Sequence, residues 1–509
     1  MSSKKFRIVF FVAAVFLLSG LASFLFNRNS QLVSQTRSSA SPAASGAQGA
    51  SQVASPVSEK AAPVRELPPG TIAYAPKANA AALAIARKYL SESTYMTVPD
   101  FESAIRQANH GKASFKKDEE VMVPGIEPQP VVEKSRPFPT DGEIRAIYLT
   151  GATAGSVRGI ALIRHWHEVG GNAVVFDIKD SDGSITVPFE HALAPRKQNH
   201  AIRNLPKFVR FLHSLDMHAI ARIALFRDEN IARNHSTLAV QSRSTHEAWK
   251  ENGKLVWADP SNKAVQEYDL SLARSVAQSG ADEIQFDYVR FPAEGNQKDA
   301  LFAFQSDAKL HRDDVIAGFL QRAYSELHPM DVLVSVDVFG IMAWQRSVDL
   351  SHTGQDIVKM AKYCDVISPM IYPSHFFGMD GYAAPGDAPE HFIGASMARF
   401  EKITSGSGVV IRPWLQAFAW RTKTYSPQYI LKQVGSSKEH NGVGFLFWNA
   451  NNDYAKPFAA MPVMLANPKI YLKVAKPEVA RPDVAAPAAS ADGNAVPRPE
   501  HPAASGVRQ

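Results

Sequence analysis

The chain has 509 residues, of which 45% are hydrophobic and 20% charged, and its formal net charge is +6. These proportions fit globular protein. The basic residues are scattered, with no Lys/Arg tract and no interleaved aromatics, which argues against a nucleic-acid partner. The single cysteine, Cys364, excludes an intramolecular disulfide and a thiolate metal site, and its apolar setting marks it as a core residue.

Lys4, Lys5 and Arg7 precede an apolar run from Ile8 to Phe26. The run is long enough to span a bilayer as one helix. Phe24, Leu25, Phe26 and Asn27 make a poor cleavage site, so the pattern reads as an uncleaved signal anchor. The basic flank, residues 1–7, is expected to stay in the cytoplasm, with residues 8–26 in a bacterial inner membrane and the main domain facing the periplasm or cell exterior. Residues 27–70 are rich in Ser, Ala, Gln and Pro and read as a flexible tether. The Pro/Ala-rich residues 476–509 read as a disordered tail.

Residues 71–135 read as a small α+β module. Helical spacing runs over Ala82–Leu90 and Val98–Asn109, and a strand follows at Glu120–Gly125. Asp100 is placed to cap the second helix. The order YMTVPDFESAIRQAN followed by FKKDEEVMVPG resembles a divergent LysM module, with Lys117-Asp118 where that family has Pro-Gly. The resemblance implies binding to N-acetylglucosamine polymers, notably peptidoglycan. Without it, the segment is an α/β spacer packed on the next domain.

Residues 136–475 alternate strand and helix signals. The strands are expected at Ile144–Thr150, Ala173–Lys179, Ala219–Phe226, Glu283–Arg290, Val332–Phe339, Val366–Tyr372, Val409–Phe418 and Gly444–Asn449. Eight strands separated by helices predict an α/β chain folded as a (β/α)8 TIM barrel. A doubly wound open sheet fits less well, because no glycine-rich phosphate loop follows the first strand. The longest connections, 180–204, 227–262 and 373–388, follow strands and so fall on the face where barrel active sites sit.

Polar residues gather at the strand ends. Strand alternation puts Val175, Asp177 and Lys179 on one face, Gln285 with Asp287, Ser335 with Asp337, and Tyr372 with Ser368. Burying an unpartnered charge costs several kcal/mol. Three aspartates at the ends of parallel strands therefore point to chemistry rather than stability. Two carboxyls flanking a scissile bond are the requirement of glycoside hydrolysis. Asp287 and Asp337 are the catalytic candidates. Arg290 is expected on the Asp287 face, keeping it ionised. Asp337, with apolar neighbours, is expected to stay protonated as the acid. Asp177, Lys179, Gln285, Arg290, Tyr372, His375, Gln416, Trp448 and Asn449 are the candidate substrate-binding residues. No metal site and no cofactor are expected.

GADEIQFDYVRFP (280–292), VSVDVFG (334–340), DVISPMIYPSHF (365–376) and GVGFLFWNA (442–450) together resemble a bacterial family described as a "putative glycosyl hydrolase domain", over about residues 144–460. The resemblance implies a TIM-barrel hydrolase acting on a polysaccharide. Alpha-amylase-like barrels also end strand four in a nucleophilic Asp, but carry Glu on strand five where this chain has Asp337. Barrels with a nucleophile on strand seven are not matched, since Gln416 stands there. The chitinase-type acidic run on strand four is absent. The main alternative is a non-catalytic barrel that binds glycan or peptidoglycan in the envelope. A metal-dependent hydrolase or deacetylase using Asp177, Asp287 or Asp337 with histidines is a third reading, without a His-x-His or His-Glu-x-x-His motif to support it.

Overall fold

Short runs of Val, Ile and Phe, too brief for helices and bounded by turn residues, become the strands of a closed parallel sheet. The computed structural model describes residues 67–137 and 142–473. The expected anchor (8–26) and the tail (476–509) lie outside the described residues, as does nearly all of the tether (27–70). No helix among the described residues is long and apolar enough to cross a membrane.

The small module contains β1 (Ile72–Tyr74), β2 (Ala80–Ala81), α1 (Ala82–Tyr89), α2 (Val98–Ala108), β3 (Ser114–Phe115) and β4 (Val121–Val123). β1 pairs antiparallel with β4, and β2 with β3. Its own core joins Ile85, Phe101, Ile105, Phe115, Val121 and Val123. Asn109 ties the end of α2 to β4: its amide donates to Ile105 and Met122 carbonyls, and its oxygen accepts the Met122 N–H. Asp100 does not cap α2. Thr97, one turn position earlier, accepts the Asp100 N–H, and the Asp100 carboxylate instead meets Arg164 at 2.9 Å.

The barrel strands are β5 (Ile144–Leu149), β6 (Ala173–Lys179), β7 (His218–Ala224), β8 (Glu283–Asp287), β9 (Leu333–Phe339), β10 (Val366–Ile371), β11 (Val410–Ile411) with β12 (Trp414–Gln416), and β13 (Gly444–Trp448). β11 and β12 both lie along β10 and form one barrel position, interrupted at Pro413, which has no N–H to give. Each strand pairs in parallel with the next, and β13 returns to β5, which closes eight positions into a (β/α)8 barrel.

The outer helices include α3 (Val157–Glu168), α4 (Leu205–Ser214), α5 (Lys263–Gln278), α6 (Arg312–Leu327), α7 (Pro389–Ile403), α8 (Pro427–Glu439) and α9 (Ala455–Ala466). Ser156, Asn204, Asn262 and Ser426 cap their first turns with side-chain oxygens. The main core fills the layer between strands and helices. A second, smaller core of Ile144, Ala146, Tyr148, Val175, Ile220 and Leu446 fills the barrel interior.

Two local departures from regular strand geometry matter for the site. β8 ends at Asp287, where Tyr288 takes a left-handed backbone (φ +51°), and Arg290, three residues on, would fall on the face opposite Asp287 even in a continuous strand. The pairing of β6 with β7 slips between Asp177 and Lys179, so those two side chains do not share a face.

Candidate active site

Inside the barrel, the N-terminal end of β8 carries Glu283. Arg412 reaches both of its oxygens at 2.9 and 3.0 Å, and His218 adds a third contact at 3.1 Å. Burial pushes this carboxyl up, but the Arg412 charge and the His218 contact prevail and bring it to about 2. This is a satisfied ion pair beneath the site.

Above it, at the C-terminal strand ends, Asp177, Asp287 and Asp337 converge as expected. Arg222 on β7, which sequence patterning did not single out, is the common partner of Asp177 and Asp287. Arg222 Nη1 lies 2.5 Å from Asp177 Oδ1, and Nη2 lies 2.5 Å from Asp287 Oδ2, with Nε at 3.2 Å from the same oxygen. Tyr148 on β5 donates its hydroxyl to Asp177 Oδ2 at 2.5 Å. The second Asp287 oxygen accepts the Tyr288 N–H at 2.5 Å, so the left-handed turn at Tyr288 also orients the carboxylate.

Asp337 stands differently. β8 and β9 pair in register up to Phe286 and Val336, which sets Asp287 and Asp337 side by side at the next step. Adjacent strands lie ~4.8 Å apart. The indole N–H of Trp414 donates to Asp337 Oδ1 at 2.7 Å, and no cation is in ion-pair contact with it among the described residues. Burial first, and then the neighbouring Asp287 charge, push the Asp337 carboxyl well above the usual range; Arg222 and the Trp414 hydrogen bond oppose this and lose. Burial also raises Asp177, to about 7, against the Arg222 charge.

The expected binding residues divide. Tyr372 and Trp448 belong to the site: their rings lie 5.8 Å apart, Trp448 stacks at 6.4 Å on Tyr148, and Phe418 packs on both. His375 continues this wall, 5.3 Å from Tyr372 and 5.0 Å from Trp420, and burial brings its pKa down to about 3, so it is neutral. Gln285 lies inside the barrel below Asp287 and donates to Ser368.

Four candidates take other roles. Lys179 points to the helix layer, with Nζ 2.7 Å from Asp269 on α5 and 2.8 Å from Asp228. The slip after Asp177 turned it outward. Arg290 is buried against the rings of Phe339 and Trp257 and donates to the Phe291 carbonyl; the guanidinium on Asp287 is that of Arg222. Gln416 fastens loops, accepting the Ser374 N–H and donating to the Phe418 carbonyl. Asn449 does the same through Ala417 and Asn451.

Arg222 and Tyr148 had a signal available. A lone arginine in the apolar run from Ala219 to Phe226 invites the same question that singled out the aspartates. Among the described residues, no group of three or more His, Cys, Asp or Glu side chains is arranged to hold a metal ion. A cavity of about 580 Å³ lies between Phe304–Asp313 and Ser347–Asp356, and none of the candidate site residues lines it.

No curated protein matches the chain. Among solved structures it is similar to a hypothetical protein from Ruminiclostridium thermocellum ATCC 27405, at 31% identity over 38% of this chain and 97% of that one, with a TM-score of 0.33. It is also similar to the PgaB (BpsB) glycoside hydrolase domain from Bordetella bronchiseptica, at 15% identity over 66% and 100% of the two chains, with a TM-score of 0.48. The spore cortex-lytic enzyme SleL of Bacillus megaterium QM B1551 shares 13% identity over 80% and 87%, with a TM-score of 0.40. Residues 146–454, more than half of the chain and nearly the whole barrel, match the family described as "Putative glycosyl hydrolase domain", and the chain belongs to that family.

Proposed function

We propose that the barrel hydrolyses O-glycosidic bonds of an envelope or extracellular polysaccharide with two carboxyls, Asp287 and Asp337. One observation carries the reading. Two neighbouring carboxyls at the C-terminal end of the barrel are held in opposite settings, Asp287 on the Arg222 guanidinium and Asp337 in a buried site with a single indole donor. Titratable pairs whose environments are pushed apart are the mark of an acid and its ionised partner.

Asp337 gives its proton to the glycosidic oxygen, and the bond to the anomeric carbon breaks with its electron pair on the leaving oxygen. Asp287 bonds to the anomeric carbon. Water, giving its proton to Asp337, then releases the sugar and restores both carboxyls. Neighbouring positions on adjacent strands match the ~5–5.5 Å separation of retaining enzymes. Tyr148, Tyr372 and Trp448 supply ring faces for the sugar.

The exported location, the anchor at residues 8–26 and the module at 71–135 form part of the same proposal. The Asn109 clamp between helix and strand supports the LysM-like reading of the module, with peptidoglycan as its ligand. The test is a screen of the purified chain against polysaccharides and peptidoglycan, with Asp287→Asn and Asp337→Asn as controls and the anomeric configuration of the first product followed by NMR. Release of reducing ends by wild type alone supports the reading; equal release by the Asp287→Asn protein sinks it. Glycan binding without turnover is the second reading, favoured by the internal satisfaction of Asp177, Arg222 and Asp287. In that case all three proteins bind and none cleaves.

A further inference from the structure

The aromatic wall does not stop at His375. It runs on through Trp420 to Arg421, in the loop after β12. The Arg421 guanidinium carbon sits 4.3 Å from the Trp420 ring centre and 5.1 Å from that of Phe377, which belongs to the loop after β10. Phe377 is 58% exposed, and Arg421 itself is exposed. Both loops follow barrel strands at the end where Asp287 and Asp337 lie.

Arg421 is presented at a cost. Its backbone is left-handed (φ +50°), a conformation that a long side chain seldom adopts. Two features hold it there. Asp387 Oδ1 accepts the Lys423 and Thr424 N–H groups and the Thr422 hydroxyl, which locks the turn. The Arg421 carbonyl packs where a side chain on residue 386 would begin, only 2.1 Å from an ideal Cβ, so Gly386 is required opposite it. Strain that the surroundings enforce gathers at functional positions. Among the described residues no carboxylate lies within ion-pair distance of Arg421, and its guanidinium contacts are with the two rings. The charge is therefore fixed in place, stacked on rings that occupy its faces, with its N–H edge left for a ligand. A planar fork of donors suits a carboxylate.

We infer that Arg421 is a specificity-determining residue that receives a sugar carboxylate, so that the substrate is an acidic polysaccharide of the uronic-acid class rather than a neutral one. This rests on the hydrolase reading, since it concerns the glycan taken up at the same barrel end. Arg421 lies three ring contacts from Tyr372, through Trp420 and His375, and so acts on a sugar unit beyond the one being cleaved.

The experiment compares the full-length chain with Arg421→Gln and Arg421→Lys. The probes are uronate oligosaccharides and the same oligosaccharides after reduction of their carboxyls to alcohols. Binding is followed by calorimetry, and turnover by reducing ends. Wild type should bind the acidic member of a pair at least about tenfold more tightly, the difference a hydrogen-bonded charge pair supplies. Arg421→Gln should lose that preference while its affinity for the reduced glycan is unchanged. Arg421→Lys, with charge but no fork, should recover it only in part. Equal binding of acidic and reduced glycans by wild type overturns the inference, as does an Arg421→Gln protein that loses both equally, and so does failure to bind any uronate. The two readings separate cleanly. Arg421-dependent binding without cleavage removes the hydrolase and keeps the carboxylate site. Cleavage of neutral glycans with Arg421→Gln unimpaired does the reverse.

Discussion

Arg222 Nη2 sits 2.5 Å from Asp287 Oδ2, and this contact joins two strands that are hydrogen-bonded neighbours, β7 and β8. The same guanidinium meets Asp177 on the opposite side, so one cation serves two buried acids. Replacing it with lysine keeps a charge but removes the fork that reaches both. Arg222→Lys should lower kcat by orders of magnitude. Breaking a buried pair costs about 3–5 kcal/mol, so the thermal midpoint should fall as well. Unchanged turnover in a folded Arg222→Lys protein would separate the arginine from the chemistry. Asp287→Asn leaves Arg222 its Asp177 partner, so that variant should stay folded, lose activity, and show a smaller drop in midpoint.

Asp337 gives a pH prediction for stability that does not depend on finding the substrate. Its carboxyl is raised in the fold above its ordinary value, chiefly by burial. The folded state therefore holds a proton that the unfolded chain releases near pH ~4. The associated stability is complete below that pH and is lost as pH rises through the raised value. Asp337→Asn has no proton to lose. Its thermal midpoint relative to wild type should climb in parallel melts as pH rises above ~4 and level off once the raised value is passed; a difference that stays constant as pH rises contradicts the raised carboxyl. With substrate in hand, the same variant should fail on poor leaving groups and recover on activated aryl glycosides, which need no proton.

The barrel was legible because buried parallel strands are short apolar runs, and eight of them recur between capped helices. The convergence of Asp177, Asp287 and Asp337 was legible because charges in such runs stand out. What escaped was local backbone geometry. A one-residue slip after Asp177 turned Lys179 to the helix side, which leaves no mark in period-two patterning. Arg290 is three residues from Asp287, so period two itself sets it on the other face, and the left-handed Tyr288 ends the strand before it. Arg222 differs, because a lone guanidinium in the apolar run IARIALF carries the same burial argument as the aspartates and is legible in the sequence.

The Lys179 correction is testable by itself. Lys179 is buried between Asp228 and Asp269, behind the strand rather than in the cleft. Lys179→Met would leave two carboxylates without their cation, at a cost of about 3–5 kcal/mol or more. Chemical denaturation should show that loss. KM for any glycan should stay within about twofold at temperatures where the variant is folded, since a twofold change corresponds to only ~0.4 kcal/mol. A selective rise in KM with stability intact would return Lys179 to the binding site.

Trp414 offers the most discriminating test of which carboxyl is the acid. Its indole N–H reaches Asp337 Oδ1 at 2.7 Å and is a donor only, so it favours the ionised carboxylate. Trp414→Phe keeps a ring in the interior but removes the donor. Asp337 then becomes harder to ionise, and the alkaline limb of the kcat/KM profile, which reports loss of the acid's proton, should move to higher pH. A hydrogen bond to a charged group is worth ~1.5–3 kcal/mol, and one pH unit corresponds to ~1.4 kcal/mol, so the displacement should be about one unit or more. The acid limb should stay where it is, because Trp414 makes no hydrogen bond to Asp287 or Arg222. A shift of the acid limb instead, with the alkaline limb fixed, would exchange the two roles and make Asp337 the ionised partner.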